Sequence, residues 1–158
     1  MKTNRVLKIG NQKGFSLIEM IVAVAIIGIL TGIAIPVYIG MKPSIWLSGA
    51  TRQIMGDLMW ARMQAVSQNN EFKIFFLDNH QYTILDDNDN DGNIKIDGSE
   101  LTVKKDIHDE YYDVTLTSTA NPIFHPRGNA SPAATVTITN SSGTKQVKIA
   151  ITGRVKIE

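Results

Sequence analysis

An uninterrupted apolar run near the N-terminus is the strongest constraint on how this chain can fold. Met20–Met41 holds 22 residues without an Asp, Glu, Lys, Arg or His, and Ile, Val, Ala and Leu dominate it. As a helix rising about 1.5 Å per residue it would extend roughly 33 Å, enough to cross a hydrocarbon core of about 30 Å. The apolar region of a cleaved secretory signal is only about 7–15 residues long. The run therefore predicts a transmembrane helix over residues 15–42.

The charges before this run predict its orientation. Lys2, Arg5, Lys8 and Lys13 lie within the first fourteen residues, which contain no acid. Positive charges flanking a membrane span are retained on the cytoplasmic side. The leader should therefore be cytoplasmic, the protein should cross the inner membrane once, and everything after Lys42 should be periplasmic or extracellular.

Glu19 is unusual for an ordinary anchor, because it lies at the start of the apolar run. A carboxylate at the edge of the hydrocarbon is energetically expensive and normally has a partner. Two interpretations stay open on physical grounds: Glu19 lies in the headgroup region, or it pairs with a cation from another chain.

The residues around Glu19 carry a specific resemblance. Lys13-Gly14-Phe15-Ser16-Leu17-Ile18-Glu19, followed by the apolar run, resembles the type III leader of the type IV pilin superfamily. The resemblance implies that residues 1–14 are a leader, that prepilin peptidase cuts after Gly14, and that the new amine of Phe15 is methylated. It also implies that Glu19 pairs with the Phe15 amine of a neighbouring subunit, since each charge would be costly to bury alone.

Three further residues of the apolar run are candidates for assembly. Gly28 and Gly32 form a small-xxx-small pair that lets helices approach closely. Pro36 removes one backbone hydrogen bond and is expected to kink the helix. Glycine and proline are also common in ordinary membrane helices, so the pattern fits both interpretations.

The rest of the chain predicts a second helical segment followed by strands. Residues 43–70 should form an amphipathic helix, because apolar residues recur there every three or four positions. That stripe comprises Leu47, Ala50, Ile54, Leu58, Ala61 and Ala65. Residues 71–158 should form a small antiparallel β-sheet head, because short segments rich in Val, Ile, Thr and aromatic residues alternate with turn residues. The segments are Phe72–Leu77, Gln81–Leu85, Leu101–Lys105, Val114–Thr117, Thr135–Thr139, Gln146–Ile151 and Val155–Ile157.

Helix first and strands afterwards indicates an α+β fold, in which one long N-terminal helix packs on the sheet. Several head motifs resemble the type II secretion pseudopilin H and FimT-like minor pilin group. They are Leu58-x-x-Ala61-Arg62-x-x-Ala65, Phe124-x-Pro126-x-Gly128 and Ile151-x-Gly153-Arg154-Val155. The chain contains no cysteine, as the resemblance to this group implies.

An acidic segment in the head resembles the first half of a calcium loop. Oxygen-bearing side chains alternate there and a glycine follows them, as such loops require. The candidate ligands are Asp87, Asp89, Asp91, Asn93, Asp97 and Glu100. The twelfth position, where a bidentate glutamate is expected, is Gly98. A solvated turn explains the same composition, so a Ca²⁺ site and a plain turn both stay open, and no cofactor is required.

The end of the chain is basic. Gly153-Arg154-Val155-Lys156 resembles the Gly-Arg-x-Arg motif of FimT-like proteins that act in DNA uptake, with lysine in the last place. Arg154 and Lys156 are therefore candidate phosphate contacts. A solvated face of the terminal strand is the favoured alternative, because residues 43–158 carry 11 basic and 14 acidic residues.

No catalytic arrangement is recognisable, and His80, His108 and His125 lack the spacing of metal ligands. The chain is therefore interpreted as a non-enzyme without a small-molecule substrate. The resemblance implies a minor pseudopilin or pilin of a type II secretion pseudopilus or a type IV pilus, with prepilin peptidase, other pilins and the membrane as partners. The alternative is a DNA-binding minor pilin that serves competence.

Overall fold

The protein was analysed as a computed structural model that describes residues 14–87 and 102–158. Its first element is one long helix, α1, Leu17–Gln68. The chain divides after Gly40 into two compact units. The first unit contains the N-terminal part of α1, and the second contains the rest of α1 with all the strands.

In the first unit, every described residue is exposed. This part of α1 is long and apolar enough to cross a membrane, by length and composition. The helix continues through Pro36 without a break in its secondary structure. Such an all-round apolar surface suits lipid or other apolar helices better than water.

In the second unit, α1 buries one face. The six residues of the predicted apolar stripe are all buried, and Thr51 is buried with them. The Thr51 hydroxyl donates to the Leu47 carbonyl at 2.6 Å, so this polar group is satisfied inside the helix. The helix ends at Gln68, and Asn69 follows with a φ of 56°. Asparagine tolerates this left-handed conformation, which is a common way to end a helix.

Within the described part of the chain, nine strands follow, and they form two antiparallel sheets. The strands are β1 Glu71–Phe76, β2 Gln81–Asp87, β3 Thr102–Asp106, β4 Thr115–Ser118, β5 Ile123–Phe124, β6 Ala130–Ser131, β7 Ala134–Asn140, β8 Gly143–Ile149 and β9 Val155–Ile157. One sheet has the order β3-β2-β1-β5-β6 and the other has the order β4-β7-β8-β9. The helix stripe and residues from both sheets make one hydrophobic core.

The two sheets differ from the single sheet expected from the sequence. A 3₁₀ turn at Ile107–Asp109 follows β3, and the next strand, β4, pairs with β7 rather than with β3. The two-residue strands β5 and β6 were not predicted. Alternating apolar residues indicate that a strand exists, but they carry no information about which partner it pairs with.

A close approach of two glycines joins the ends of the two sheets. Gly128 and Gly153 both have positive φ angles, of 79° and 77°. A Cβ atom at Gly153 would lie 1.8 Å from the Gly128 carbonyl oxygen. That same oxygen accepts a hydrogen bond from Arg62 Nε of α1 at 2.8 Å. The backbone path at Gly153 therefore requires glycine.

We expect Gly153→Ala to destabilise the head by at least roughly 2 kcal/mol, because it combines left-handed strain with a clash against a carbonyl. Gly56→Ala is the matched control: Gly56 lies within the helix and a Cβ there would meet nothing within 4 Å. It should raise stability by about 0.5–1 kcal/mol. Thermal unfolding of the detergent-solubilised chain measures both changes. An unchanged midpoint for Gly153→Ala would contradict the described approach.

Candidate functional site

The N-terminal end of α1 holds the residues that the leader motif singled out. Gly14, Phe15 and Ser16 precede the helix, and the Phe15 side chain is 79% exposed. Ser16 Oγ accepts a hydrogen bond from the Glu19 backbone N–H at 3.2 Å. Ser16 therefore caps the helix, and Glu19 occupies its first turn. The pattern Ser-x-x-Glu could have been recognised in the sequence as a capping box.

The position of Glu19 leaves its carboxylate available. Glu19 is exposed, and within residues 14–87 and 102–158 it forms no ion pair. The partial positive charge at a helix N-terminus favours a carboxylate there. Its location thus stabilises the helix start.

Gly28, Gly32 and Pro36 lie further along the same exposed segment. A Cβ atom at Gly28 or at Gly32 would meet nothing within 4 Å. The two glycines are one helical turn apart, so they leave a shallow groove on one side of α1. Small-xxx-small pairs of this kind let membrane helices approach closely, and the assembly role of these glycines stays a prediction.

The candidate calcium loop is described only at its first residue. Asp87 lies at the end of β2, is 1% exposed, and forms an ion pair with Lys73 of β1. A buried carboxylate with a cationic partner is already compensated electrostatically. Asp89, Asp91, Asn93, Asp97 and Glu100 lie outside the described residues, so the calcium site stays a prediction.

Part of the positive charge at the basic C-terminal end is compensated. Glu158 forms ion pairs with Lys148 and Lys156. Hydrogen bonds from these two lysines lower the pKa of the Glu158 carboxyl to about 2. Lys145 donates to Ser48 Oγ at 2.9 Å. Arg154 is exposed. Of the two candidate phosphate contacts, Lys156 pairs with Glu158, whereas Arg154 forms no ion pair with an acid among the described residues.

An apolar groove lies beside Arg154. Its volume is about 700 Å³, and its walls come from α1 and from residues 153–155. Met59 and Met63 line it and are more than half exposed, whereas Trp46, Met55 and Trp60 pack against the core. The tryptophans and methionines of α1 therefore contribute to core packing and to a surface groove.

Two of the three histidines lie together in space although their sequence spacing is not that of metal ligands. His80 and His108 stack with ring centroids 4.4 Å apart and an interplanar angle of 5°, and Asp106 lies beside them. His125 is separate, because it contacts Glu71 at 2.7 Å and Ser131 at 2.6 Å. Pairing of β2 with β3 brings His80 and His108 together, and that register was not known from the sequence.

Comparisons with known proteins identify the family. The family model of the type II transport protein GspH matches residues 50–153. The model of the prokaryotic N-terminal methylation motif matches residues 9–35. The chain belongs to the GspH family. It is accordingly a minor pseudopilin or pilin of a type II secretion system or a type IV pilus, and its methylation motif implies processing by prepilin peptidase.

Solved structures show the same fold. The type IV minor pilin FimU of Pseudomonas aeruginosa is 22% identical with a TM-score of 0.52, covering 70% of this chain and 91% of FimU. The minor pseudopilin EpsH from the type 2 secretion system of Vibrio cholerae is 11% identical with a TM-score of 0.55, covering 71% and 94%. No curated protein sequence matches the chain significantly. The GspH family and this fold are those of structural subunits.

The ion pairs of Glu158 with Lys148 and Lys156 lead to a prediction about DNA binding. We expect the full-length chain in detergent to leave a duplex of about 20 base pairs unretarded at physiological salt, up to roughly 100 µM protein. Glu158→Gln releases Lys148 and Lys156, so it should increase retardation at low salt. Gel mobility measures both. Tight, salt-sensitive binding by the unaltered chain that is lost in Arg154→Ala/Lys156→Ala would favour the DNA-uptake alternative.

Proposed function

We propose that this GspH-family protein is a minor filament subunit that is cut between Gly14 and Phe15 and joins its neighbours through the N-terminal part of α1. In this proposal the Glu19 carboxylate of one subunit binds the methylated Phe15 amine of the next. The observation that carries the proposal is the exposed Glu19 in the first turn of a segment that is otherwise uncharged as far as Met41.

Electrostatics support a partner from a second chain. Removal of the leader would create a positive amine at Phe15, four residues before Glu19. In an apolar filament interior either charge alone would be strongly unfavourable, and truncating one partner of such a buried pair typically costs about 3–5 kcal/mol. A subunit that brings both charges can therefore satisfy one neighbour on each side. The pair then also specifies the axial register between subunits.

The remainder of the exposed apolar segment supplies the area for assembly. Before assembly, lipid covers it; in a filament, the corresponding helices of other pilins or pseudopilins replace the lipid. Gly28 and Gly32 allow a close approach at one helical turn of this surface. Pro36 lacks a backbone N–H, so the helix has one hydrogen bond fewer to break if it loosens on assembly.

The proposed topology follows from the leader charges. Four basic residues before the span retain the leader in the cytoplasm, where prepilin peptidase acts on it, and the head is exported. The protein is thus a single-pass inner-membrane protein before it enters the filament. Neither a small-molecule substrate nor a cofactor is part of this role.

Processing is tested at the N-terminus. We expect mature protein to begin with methylated Phe15, and Gly14→Val to leave the precursor uncut, because a β-branched side chain would occupy the position next to the scissile bond. Intact-protein mass spectrometry distinguishes the two species. Gly10→Val, in the same leader, is the control and should be processed normally. A mature chain beginning at Met1 or beyond Ala34 would contradict the proposal.

Two variants test the contributions of charge pairing and helix capping separately. Glu19→Gln keeps a side chain that suits a capping box but removes the charge, so processing should persist while incorporation into filaments falls at least about tenfold. Ser16→Ala removes the cap and keeps the charge, so it should cost only about 1 kcal/mol of helix stability. Quantifying each variant in sheared filament fractions measures incorporation, normalised to processed protein in the membrane. Equal incorporation of Glu19→Gln and the unaltered chain would show that the charge is not used.

A further inference from the structure

Two histidines and one carboxylate converge where the β1–β2 turn meets the end of β3. His80, Asp106 and His108 each offer one ligand atom, and these three atoms lie within 4.8 Å of one another. The side chains of His80 and Asp106 are 28% and 26% exposed. The cluster is therefore partly shielded but reachable from solvent.

Backbone pairing holds the three residues in place. Gln81 is opposite Asp106 in the antiparallel register of β2 and β3. The Ile107 N–H donates to the His80 carbonyl at 2.9 Å, which ties the two histidine-bearing segments together. Asp106 Oδ1 accepts from the His108 N–H at 2.9 Å, and Asp106 Oδ2 accepts from Gln81 Nε2 at 2.8 Å. These hydrogen bonds lower the pKa of the Asp106 carboxyl, the Gln81 contact most, so it stays ionised.

Each imidazole has one nitrogen committed to an acceptor. His80 Nδ1 lies 2.9 Å from Asn79 Oδ1 and 3.2 Å from Asp78 Oδ1. Asp78 stays ionised, because hydrogen bonds led by that from the His80 N–H lower its pKa. His108 Nε2 lies 2.9 Å from the Val114 carbonyl oxygen, which can only accept. In the neutral tautomer that matches these acceptors, each ring has its N–H at the committed nitrogen and a lone pair on the other.

We propose that His80, Asp106 and His108 bind a divalent transition-metal ion such as zinc. Two imidazole nitrogens and a carboxylate are a ligand set that zinc accepts, with water in the fourth position. A metal-bound histidine usually donates its other N–H to a carbonyl or carboxylate. Here the Val114 carbonyl accepts from His108, and the side-chain carbonyl of Asn79 accepts from His80. Calcium prefers oxygen ligands alone, so this cluster should discriminate against it.

Metal binding requires only small side-chain movements. Ligand atoms bound to one tetrahedral zinc at about 2.0–2.1 Å lie roughly 3.3 Å apart. His80 Nε2 and Asp106 Oδ2 are already 3.8 Å apart. All three ligand atoms lie within 4.8 Å of one another, so the rings would have to leave their parallel stack for these atoms to reach one ion. The bound ion would connect the β1–β2 turn to the 3₁₀ turn at Ile107–Asp109, where the chain leaves one sheet for the other.

Zinc binding is tested on the full-length chain in detergent, purified without a polyhistidine tag. We expect about one Zn²⁺ per chain by titration against a chromophoric chelator, and no binding of Ca²⁺ that depends on these histidines. His80→Gln and His108→Gln should each weaken zinc binding at least about tenfold. His125→Gln is the matched control and should leave the affinity unchanged. Zinc should also raise the thermal midpoint of the unaltered chain and of His125→Gln, because it binds the folded state. It should leave the midpoints of His80→Gln and His108→Gln nearly unchanged.

A second measurement uses no variant and covers the case in which a histidine substitution impairs folding. Zinc should protect His80 and His108 of the unaltered chain against diethyl pyrocarbonate, read by peptide mass spectrometry, while modification of His125 is unaffected. Two results would each overturn the proposal. One is zinc affinity that is equal in the unaltered chain and in folded His80→Gln and His108→Gln. The other is equal modification of His80 and His108 with and without zinc.

Discussion

The buried stripe of α1 from Leu47 to Ala65 is the interaction on which the rest of the head depends. Residues from both sheets join it in a single core, so among residues 14–87 and 102–158 this stripe is the cover that both sheets share. Ala50, Ala61 and Ala65 are completely buried, and such small side chains let the strands approach the helix closely. The head therefore includes the C-terminal part of α1.

The first unit follows a different principle. Its residues pack against nothing within the described chain, and its apolar surface is suited to lipid or to other pilin helices. A single carboxylate, Glu19, interrupts that surface in the first helical turn. In the head, by contrast, several charges are paired inside the chain: Lys73 pairs with Asp87, and Lys148 and Lys156 pair with Glu158. This contrast is why the proposed intermolecular chemistry concentrates at the N-terminus.

Much of the fold could be predicted, because its signals are local. The helix stripe, the helix end near Asn69 and the seven longer strands all correspond to periodic patterns of side chains. The split into two sheets was missed, because it depends on β4 pairing with β7 across the sequence. The two-residue strands β5 and β6 are too short to show alternation.

The sequence by itself determined the family, the apolar character and sufficient length of the first segment for a membrane span, and the candidate cleavage site, because these depend on composition and on residues adjacent in the chain. Only the tertiary structure decided which distant side chains meet. The pairing of Gln81 with Asp106 stacks His80 on His108. The approach of Gly128 to Gly153 leaves no room for a Cβ atom at Gly153. The tertiary structure likewise places Glu158 between Lys148 and Lys156, a contact that a count of charges does not reveal. Contacts of this kind arise from strand register and loop closure, which a local pattern of residues does not encode.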